Sequence, residues 1–318
     1  SGAKDDPADA QTHLTIVQRH QDQLMVWKPK PAQDRRLERL CHRRRKLVEM
    51  QVRARNVLAS ELEVFYPLAL EVAGSDLASA LSCAFLSRWP NLAALKRSRP
   101  DTIRRFYYAH GSRRGDVIEK RLQAIKEAKA VSEDPSLIDP CSAYVQALVL
   151  TLEGLAESIA KFDKAIEQAF AVHADHQLWS SFPAAGKVLA PRLAIAWTSD
   201  RERFKSAQEM QNYSGVAPVR NASGKRETVF RRYHRPLFLH QTFWEYAKLS
   251  ALHCQWAKDY VESQVAKGSR RSTAYRSLAF KWQRIMFACW RDGKPYDDDH
   301  YTAKKQFQTT SVCANKAA

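Results

Sequence analysis

Two long helical patterns constrain the fold of this sequence more than any other feature. In residues 34–65, apolar side chains recur near helical spacing between Arg and Lys residues; they are Leu37, Leu40, Leu47, Met50, Val57, Leu58, Leu62 and Phe65. Residues 145–170 carry a second such stripe, made of Val145, Leu148, Leu152, Leu155, Ile159, Phe162, Ile166 and Phe170. Because each stripe needs a partner, we expect an antiparallel coiled coil within a mainly α-helical protein.

Shorter elements surround this helix pair. The pattern of residues 77–130 predicts a helical insertion that spans about residues 75–140. Proline and glycine residues should divide it into short helices; they are Pro90, Pro100, Gly111, Gly115, Pro135 and Pro140. Aromatic side chains are frequent near the C-terminus, and most of them should be buried. Elsewhere the patterns predict helices at 7–19, 236–267 and 272–291 and short strands at 23–27 and 228–233.

The chain is strongly basic, with 51 Lys and Arg residues against 34 Asp and Glu residues and a formal net charge of +17. The positive residues are clustered, which suits repeated contacts with a phosphate backbone, so nucleic acid is the expected partner. Arg104 and Arg105 lie beside Tyr107 and Tyr108, which would stack on unpaired RNA bases or, alternatively, fill the core and its rim. Further clusters are Arg35-Arg36, Arg43-Arg44-Arg45-Lys46, Arg113-Arg114, Arg231-Arg232 and Arg270-Arg271.

Length and composition exclude several classes of protein. With 318 residues, of which 45% are hydrophobic, the chain can bury cores in about two domains. No uninterrupted apolar run approaches the ~18 residues of a membrane span, and no secretory signal pattern is present. The six Cys residues lack any Cys-x-x-Cys pair, so we expect reduced thiols. These features favour a cytoplasmic protein with no membrane partner.

A serine on a positively charged, Gly-flanked turn is the most distinctive local feature. Residues 215–226 read Gly-Val-Ala-Pro-Val-Arg-Asn-Ala-Ser-Gly-Lys-Arg, and Asn and Gly favour a bend from which Ser223 would project. Chemistry alone leaves two interpretations open, a nucleophile that meets a phosphate or an ordinary solvated turn. In the first, the phosphate would be held by Arg220, Lys225, Arg226, Arg231 and Arg232.

Residues 178–301 resemble the transposase domain of the insertion-sequence transposases described as bridge-RNA-guided recombinases. The shared elements, in matching order and spacing, are Phe182-Pro183-Ala184-Ala185-Gly186, Arg203-Phe204-Lys205-Ser206-Ala207, Tyr213-Ser214-Gly215-Val216-Ala217-Pro218 and Ser223-Gly224-Lys225. The resemblance implies that Ser223 is the nucleophile that attacks DNA. It also implies donor and target double-stranded DNA, a structured guide RNA, and a dimer or tetramer. Ser206 and Ser214 are rivals for which the local helical pattern favours capping or packing roles.

A second resemblance to the same family lies in residues 4–10, Lys-Asp-Asp-Pro-Ala-Asp-Ala, which are similar to an element that closes a ribonuclease-H-like acidic site. Asp6 and Asp9, at i and i+3, would share one helix face and bind Mg²⁺. Asp6 before Pro7 also suits a helix N-cap, and both roles are compatible. The family places further acidic ligands on strands upstream, and only three residues precede Lys4. We therefore expect a partial metal site and no DNA cleavage by this chain alone.

Residues 182–186, together with Lys187, resemble a helix-hairpin-helix turn that points backbone N–H groups at a DNA phosphate. The family usually has Gly where Ala184 stands, so a close backbone approach is weakened here. Two histidines, His234 and His240, flank the serine segment as proton-transfer groups or, alternatively, as capping and partly buried residues. His173 and His176 have helical spacing for a metal but lack a third ligand, so we assign them none.

The expected organisation has four parts. Residues 1–32 would be the remnant of a ribonuclease-H-like domain, 33–176 a coiled coil with its insertion, 177–302 the transposase domain and 303–318 a polar tail. The implied function is RNA-guided transposition or site-specific recombination through a phosphoserine at Ser223, assisted by Mg²⁺. Two alternatives remain open: a non-catalytic ribonucleoprotein module that binds nucleic acid, and a metal-only, resolvase-like nuclease.

Overall fold

Helices dominate the molecule. The computed structural model describes residues 5–24, 28–223 and 226–299, without the side chains of residues 223–227. Within these residues there are fourteen α-helices and one two-stranded antiparallel sheet. The mainly α-helical fold is thus confirmed, whereas the assignment of residues 1–32 to a ribonuclease-H-like domain stays a prediction.

The elements follow one another along the chain in three groups. The first group contains α1 (Asp6–Arg19), a 3-10 turn (Gln21–Gln23) and α2 (Ala32–Phe65). The second contains α3 (Leu68–Val72), α4 (Ala80–Arg88), α5 (Leu92–Lys96), α6 (Pro100–Ala109), α7 (Gly115–Glu127) and α8 (Pro135–Ala171). The third contains α9 (His176–Ser180), α10 (Gly186–Trp197), α11 (Ala207–Tyr213), β1 (Val219–Ser223), β2 (Arg226–Phe230), α12 (Leu237–His253), α13 (Gln255–Ala266) and α14 (Arg271–Asp292).

The long helices α2 and α8 pack along one another in opposite directions. Asp34, near the start of α2, contacts His173 just beyond the end of α8. Farther along α2, Arg44 pairs with Asp163, at an earlier point of α8. The expected antiparallel helix pair is therefore present, and its supercoiling as a coiled coil stays a prediction.

Part of the predicted apolar stripe of α2 faces solvent. Leu37, Leu58 and Leu62 are completely buried, as expected for an interface with α8. Met50 and Val57 are 46% and 43% exposed, so the prediction that they belong to the same interface is wrong. These two residues lie seven positions apart and share a helix face that turns away from the core. Single exposed apolar side chains of this kind are ordinary on a protein surface.

Two clusters of buried apolar side chains form the interior, and both long helices contribute to each. The first cluster joins α9, α10 and α12 to α14 around Trp179, Trp197 and Trp282, and it includes Leu37 of α2. The second joins α3 to α7 and includes Leu62 of α2. Helix α8 contributes Ile166 and Phe170 to the first and Val145 and Leu152 to the second. The long helices thus connect the helical insertion with the C-terminal helices.

Helix α8 is long and apolar enough to cross a membrane, with a mean hydropathy of 1.2 over its most apolar window. This window is not an uninterrupted apolar run, because Asp139 and Glu153 bound the longest stretch of α8 without a charged residue, so the expectation that no such run approaches that length is not contradicted. The α8 residues Val145, Leu152 and Ile166 are buried against other helices. We assign α8 to the protein core, because the same length and composition are typical of a buried core helix.

Three local predictions also differ from the structure. Gln23 lies in a 3-10 turn rather than in a strand, and residues 25–27 and the predicted tail lie outside the described residues. Pro140 lies inside α8 and does not end it; it is exposed in the second turn, where water can replace the lost backbone hydrogen bond. The helix expected at 236–267 is interrupted at Cys254, whose backbone is extended (φ −129°, ψ 118°).

A buried polar cluster joins the start of α2 to the C-terminal helices. The carboxylate of Asp34 accepts hydrogen bonds from Nε2 of His173 at 2.9 Å and from the backbone N–H of Ser199 at 2.7 Å. On its other side, Nδ1 of His173 accepts from the backbone N–H of Asp175 at 3.1 Å, and Asp175 pairs with Arg201. Because both ring nitrogens are engaged, His173 fixes helices relative to one another rather than offering a metal ligand.

Candidate nucleic-acid interface

An exposed β-hairpin is the only sheet that the described residues contain. Its strands pair antiparallel, with Val219 opposite Phe230 and Ser223 opposite Arg226. The side chains of Val219, Val229 and Phe230 are 37%, 59% and 50% exposed, so the helical core does not cover the ribbon. A two-stranded ribbon of this kind is marginally stable alone, and it fits the major groove of B-DNA. The shape and exposure of the hairpin are compatible with contact to a nucleic acid.

Ser223 lies at one end of this hairpin, and β1 is an element that sequence reasoning missed. The side chains of Ser223 and Arg226 are not described, and Lys225 lies outside the described residues. Arg231 and Arg232 follow Phe230, the last residue of β2, which lies four strand steps or about 13 Å along the ribbon from the Ser223 end. The sequence grouped both arginines around Ser223, and the structure separates them from it.

The two rival serines have structural roles. The hydroxyl of Ser206 accepts a hydrogen bond from the backbone N–H of Glu209 at 3.3 Å and thereby caps α11. Ser214 is completely buried, and Nε2 of Gln283 donates to its hydroxyl at 2.8 Å. The expected capping and packing roles are thus confirmed. Ser214 is closed to a DNA phosphate by its burial, and Ser206 is engaged as a helix cap, so both are weaker candidates than Ser223.

Gly215 allows an arginine to close the base of the hairpin. Its φ of +70° lies in the left-handed region that favours glycine, and an added Cβ would clash with the side chain of Arg235. The guanidinium of Arg235 donates from Nη1 to the backbone carbonyls of Arg232 and Tyr233. The glycine of the Tyr-Ser-Gly-Val-Ala-Pro element therefore leaves the space that the Arg235 side chain occupies.

Like charges crowd around Arg235. Burial lowers the pKa of Arg235, and the neighbouring charges of Arg231 and Arg276 lower it further. Burial and the charge of Arg235 also lower the pKa of His240, against a hydrogen bond to the backbone of Ser214. These effects favour the neutral form of His240. Within the described residues no carboxylate forms an ion pair with these three arginines, so the group favours an anionic partner.

Other predicted phosphate contacts are already paired with carboxylates. The ammonium of Lys187 lies 2.7 Å from Oε1 of Glu167, and Arg104 bonds to both Asp101 and Glu119. The pKa of Lys187 is raised by its hydrogen bond to Glu167. A phosphate would have to displace these carboxylates, so Lys187 and Arg104 are weaker candidates than the base of the hairpin.

The tyrosine pair in the helical insertion divides between core and surface. Tyr107 is buried and donates from its hydroxyl to the carbonyl of Val72 at 2.7 Å, whereas Tyr108 is 47% exposed. The alternative of one core and one rim tyrosine is therefore confirmed. Arg105 is exposed beside them and donates to a backbone carbonyl at 3.4 Å, so its charge remains in solvent.

The turn between α9 and α10 has the backbone of a glycine-rich turn although it contains an alanine. Ala184 has φ +61° and Gly186 has φ +51°, both in the left-handed region. Phe182 is buried and its carbonyl accepts from the N–H of Ala185 at 3.2 Å, which closes the turn. The conformation at Ala184 is the one that glycine adopts most readily, in keeping with the resemblance. A phosphate contact at this turn stays a prediction.

The acidic pair lies on an exposed helix. Helix α1 begins at Asp6 with Asp5 in the N-cap position, so the prediction of Asp6 as N-cap is wrong. Asp6 and Asp9 occupy the first turn, and no side chain of α1 is buried. Among the described residues, no three His, Cys, Asp or Glu side chains are grouped to hold a metal ion. Two carboxylates suit Mg²⁺ only where phosphate oxygens or water supply the remaining ligands.

Comparison with known proteins identifies the region that contains the hairpin. Residues 176–262 match the family described as "Transposase IS116/IS110/IS902 family". Residues 176–262 are similar to that family, and we call them the transposase segment after the family that they match. The segment includes the turn at Ala184, α11, Ser223 and Arg235, and it ends within α13.

Similarity to insertion-element proteins extends beyond the transposase segment. The chain is 25% identical over 307 residues to the "Mini-circle putative transposase for IS117" of Streptomyces coelicolor, which covers 94% of this chain and 73% of that protein. It is 26% identical over 261 residues to the "Insertion element IS116 uncharacterized 44.8 kDa protein" of Streptomyces clavuligerus, which covers 80% of this chain and 63% of that protein. It is 25% identical over 277 residues to the "Insertion element IS900 uncharacterized 42 kDa protein" of Mycobacterium paratuberculosis, which covers 80% of this chain and 67% of that protein.

Sequence reasoning missed several residues of the transposase segment and its surroundings. Arg235 and Arg276 were not predicted as a charge cluster, because they are far apart in the sequence and meet only through the packing of α14. Tyr213 and Tyr233 were likewise not recognised as exposed aromatic residues. The signal that pointed nearest to this site was Gly215, whose left-handed backbone accommodates Arg235.

Proposed function

We propose that this chain is the transposase of a bacterial insertion element and that it cuts and rejoins donor and target double-stranded DNA through Ser223. The supporting observation is the position of Ser223 on an exposed hairpin within the transposase segment. The structural roles of Ser206 and Ser214 support the same choice of nucleophile. The similarity to insertion-element proteins over most of the chain supports transposition as the process.

The proposed reaction is a transesterification. Oγ of Ser223 attacks a backbone phosphorus, a new Oγ–P bond forms, and the bond from phosphorus to the leaving sugar oxygen breaks. The serine proton passes to solvent or to a base, and the leaving oxygen takes up a proton. Attack on the phosphoserine by a hydroxyl of another DNA end reverses the step, so no nucleotide hydrolysis is needed. The number of phosphodiester bonds is conserved.

Positive side chains along the hairpin would serve different phosphates. Arg220 lies on β1 and Arg226 on β2, and Lys225 follows Ser223 by two residues in the sequence; these three would stabilise the charge of the attacked phosphate. Arg231 and Arg232 lie at the opposite end and would hold a phosphate farther along the strand. The hairpin would thereby align the DNA backbone with the nucleophile.

The carboxylates of Asp6 and Asp9 would hold Mg²⁺ together with phosphate oxygens and water. They share the first turn of α1, and neither forms an ion pair within the described residues. Bound Mg²⁺ would polarise the phosphate under attack. Replacing both residues by Asn should lower DNA cleavage and leave DNA binding intact, as a gel-shift assay alongside the cleavage assay would show.

Three further features complete the proposal. A structured guide RNA would select the DNA sequences, and the net charge of +17 favours the binding of such a polyanion. A dimer or tetramer would bring the acidic pair of one subunit to the serine of another. The reaction would take place in the bacterial cytoplasm at the nucleoid.

Covalent capture tests the role of Ser223. The protein expressed from its complete reading frame is incubated with the DNA ends of its element, guide RNA and Mg²⁺, and is then separated on a denaturing gel. We expect a protein–DNA adduct that Ser223→Ala abolishes while binding is kept. Ser206→Ala, which removes a hydroxyl of the same segment, should retain the adduct. Undiminished adduct in Ser223→Ala would refute the assignment, and Mg²⁺-dependent product without any adduct would favour a metal-only nuclease.

A further inference from the structure

A cleft of about 590 Å³ opens between the end of α11 and the base of the hairpin. Asn212 and Tyr213 line it from α11, and Arg232, His234 and Arg235 line it from the segment that follows β2. Ser223 lies at the other end of the hairpin, about 13 Å along the strands. The cleft is therefore distinct from the proposed point of covalent attachment.

Two guanidinium groups bring positive charge to this cleft. Arg235 is held against Gly215 and by the backbone carbonyls of Arg232 and Tyr233, so little side-chain freedom remains to be lost on binding. Glu209 also lines the cleft, but its carboxylate accepts a hydrogen bond from a backbone N–H at 2.8 Å. Within the described residues it forms no ion pair with either arginine. The two guanidinium groups outweigh the one carboxylate, so the lining is net positive, and Arg235 is preorganised for a phosphate.

Exposed aromatic rings accompany these charges. Tyr213 is 46% exposed in the cleft, and Tyr233, between two lining residues, is 70% exposed. The guanidinium carbon of Arg231 lies 5.1 Å from the centre of the Tyr233 ring. Aromatic rings next to arginines suit stacking on nucleic-acid bases whose faces are free. In a duplex those faces are covered by the neighbouring base pairs.

We propose that this cleft binds an unpaired segment of a nucleic-acid strand, with Arg232 and Arg235 on a phosphate and Tyr213 and Tyr233 stacked on the bases. The inference rests on the proposed function, since a transposase that cuts and exchanges strands handles unpaired segments. DNA and RNA share the required chemistry, a phosphate next to a free base face. The arginines alone would accept any polyanion, and the exposed tyrosines make the site selective for unpaired bases.

Binding of short fluorescent oligonucleotides of equal length tests the proposal. Fluorescence anisotropy would compare single-stranded DNA, single-stranded RNA and duplex DNA for the wild-type chain and its variants. Tyr233→Ala should weaken single-strand binding roughly tenfold and leave duplex binding nearly unchanged. Tyr233→Phe, which keeps the ring, should bind like the wild type. Because this side chain is largely exposed, neither change should unfold the protein.

Two variants that each remove one positive charge test the proposed phosphate contact of Arg232. Arg232→Gln should reduce the slope of log affinity against log salt concentration for single strands by about 0.7, the value for one phosphate contact. Lys161→Gln removes the same charge from a side chain on α8 that is 72% exposed and paired with Glu157, and its slope should match the wild type. Equal slopes for Arg232→Gln and the wild type would overturn the phosphate contact.

The outcomes separate this site from the proposed function. If Tyr233→Ala loses affinity only for single-stranded RNA or only for single-stranded DNA, the result supports the proposed cleft and identifies the type of strand that it binds. Unchanged single-strand binding in Tyr233→Ala, or an equal loss for the duplex, would overturn it. If the adduct forms at Ser223 but single-strand binding is unchanged in Tyr233→Ala, the proposed cleft is refuted and the nucleophile stands. If Tyr233→Ala selectively loses single-strand binding but no adduct forms, the cleft is supported and the nucleophile is refuted.

Discussion

At residue scale, Ala184 carries a Cβ in a backbone conformation that favours glycine. Its φ of +61° costs an L residue about 1–2 kcal/mol, and Ala184→Gly removes this strain. Glycine has a larger conformational entropy in the unfolded chain, which offsets part of the gain in stability. We expect Ala184→Gly to raise the free energy of unfolding by about 0.5–1 kcal/mol. Urea titration monitored by circular dichroism would measure this gain.

The neighbouring residue provides the control for that prediction. Ala185 has φ −65° and is buried, so Ala185→Gly should lower the free energy of unfolding by about 1 kcal/mol. If both glycine variants were destabilised to the same extent, the left-handed conformation of Ala184 would be contradicted.

Asp34 holds a buried charge between three chain segments. Burial alone would raise the pKa of Asp34, but hydrogen bonds from His173 and Ser199 more than offset this effect and lower it below the ordinary value of 3.8. The folded state therefore binds fewer protons at this group than the unfolded state. The resulting stability is present above about pH 3.8 and is lost as the pH falls through the lowered pKa.

Replacing Asp34 by Asn should expose this contribution. We expect Asp34→Asn to lower the free energy of unfolding by about 2 kcal/mol at pH 7, because buried donors lose a charged acceptor. The difference from the wild type should shrink below pH 3.8. Denaturant titrations from pH 7 to pH 3 measure it, with the exposed Asp116→Asn as control. A difference that stayed constant with pH would contradict the linkage.

At the scale of one element, α2 offers a matched pair of apolar positions. Leu62 is completely buried in the second core cluster, while Val57 on the same helix is 43% exposed. Leu62→Ala should cost about 2–5 kcal/mol through lost burial and the cavity that remains. Val57→Ala should change the free energy of unfolding by less than about 0.5 kcal/mol. Thermal unfolding of both variants distinguishes the faces of α2, and similar losses would contradict the assignment.

Periodicity predicted the long elements well and the short ones poorly. The limits of α2 and α14 follow from apolar spacing summed over many turns, so single exceptions such as Met50 do not alter the result. Strand β1 covers only five residues, and its sequence, Val-Arg-Asn-Ala-Ser, contains turn-favouring residues. Its pairing with β2 is a contact that local propensity does not encode.

At the scale of the whole molecule, the sequence predicted a nucleic-acid-binding protein but not where the charge is available. Net charge counts Arg104 and Lys187 equally with Arg235, although the first two are paired with carboxylates and the last lies among like charges. Which cations are paired depends on tertiary packing, because the partners come from distant helices. The resemblance to transposases named Ser223 without locating it on a hairpin.

The claim that Ser223 is the nucleophile is tested most directly by identifying the peptide that carries the nucleotide in the covalent product. Trypsin cleaves after Arg220 and Lys225 and would release residues 221–225, Asn-Ala-Ser-Gly-Lys, in which Ser223 is the only hydroxyl. After nuclease digestion of the trapped complex, tandem mass spectrometry should find this peptide enlarged by a nucleotide on Ser223. A nucleotide on any other residue, or cleaved and rejoined DNA with this peptide unmodified, would contradict the account.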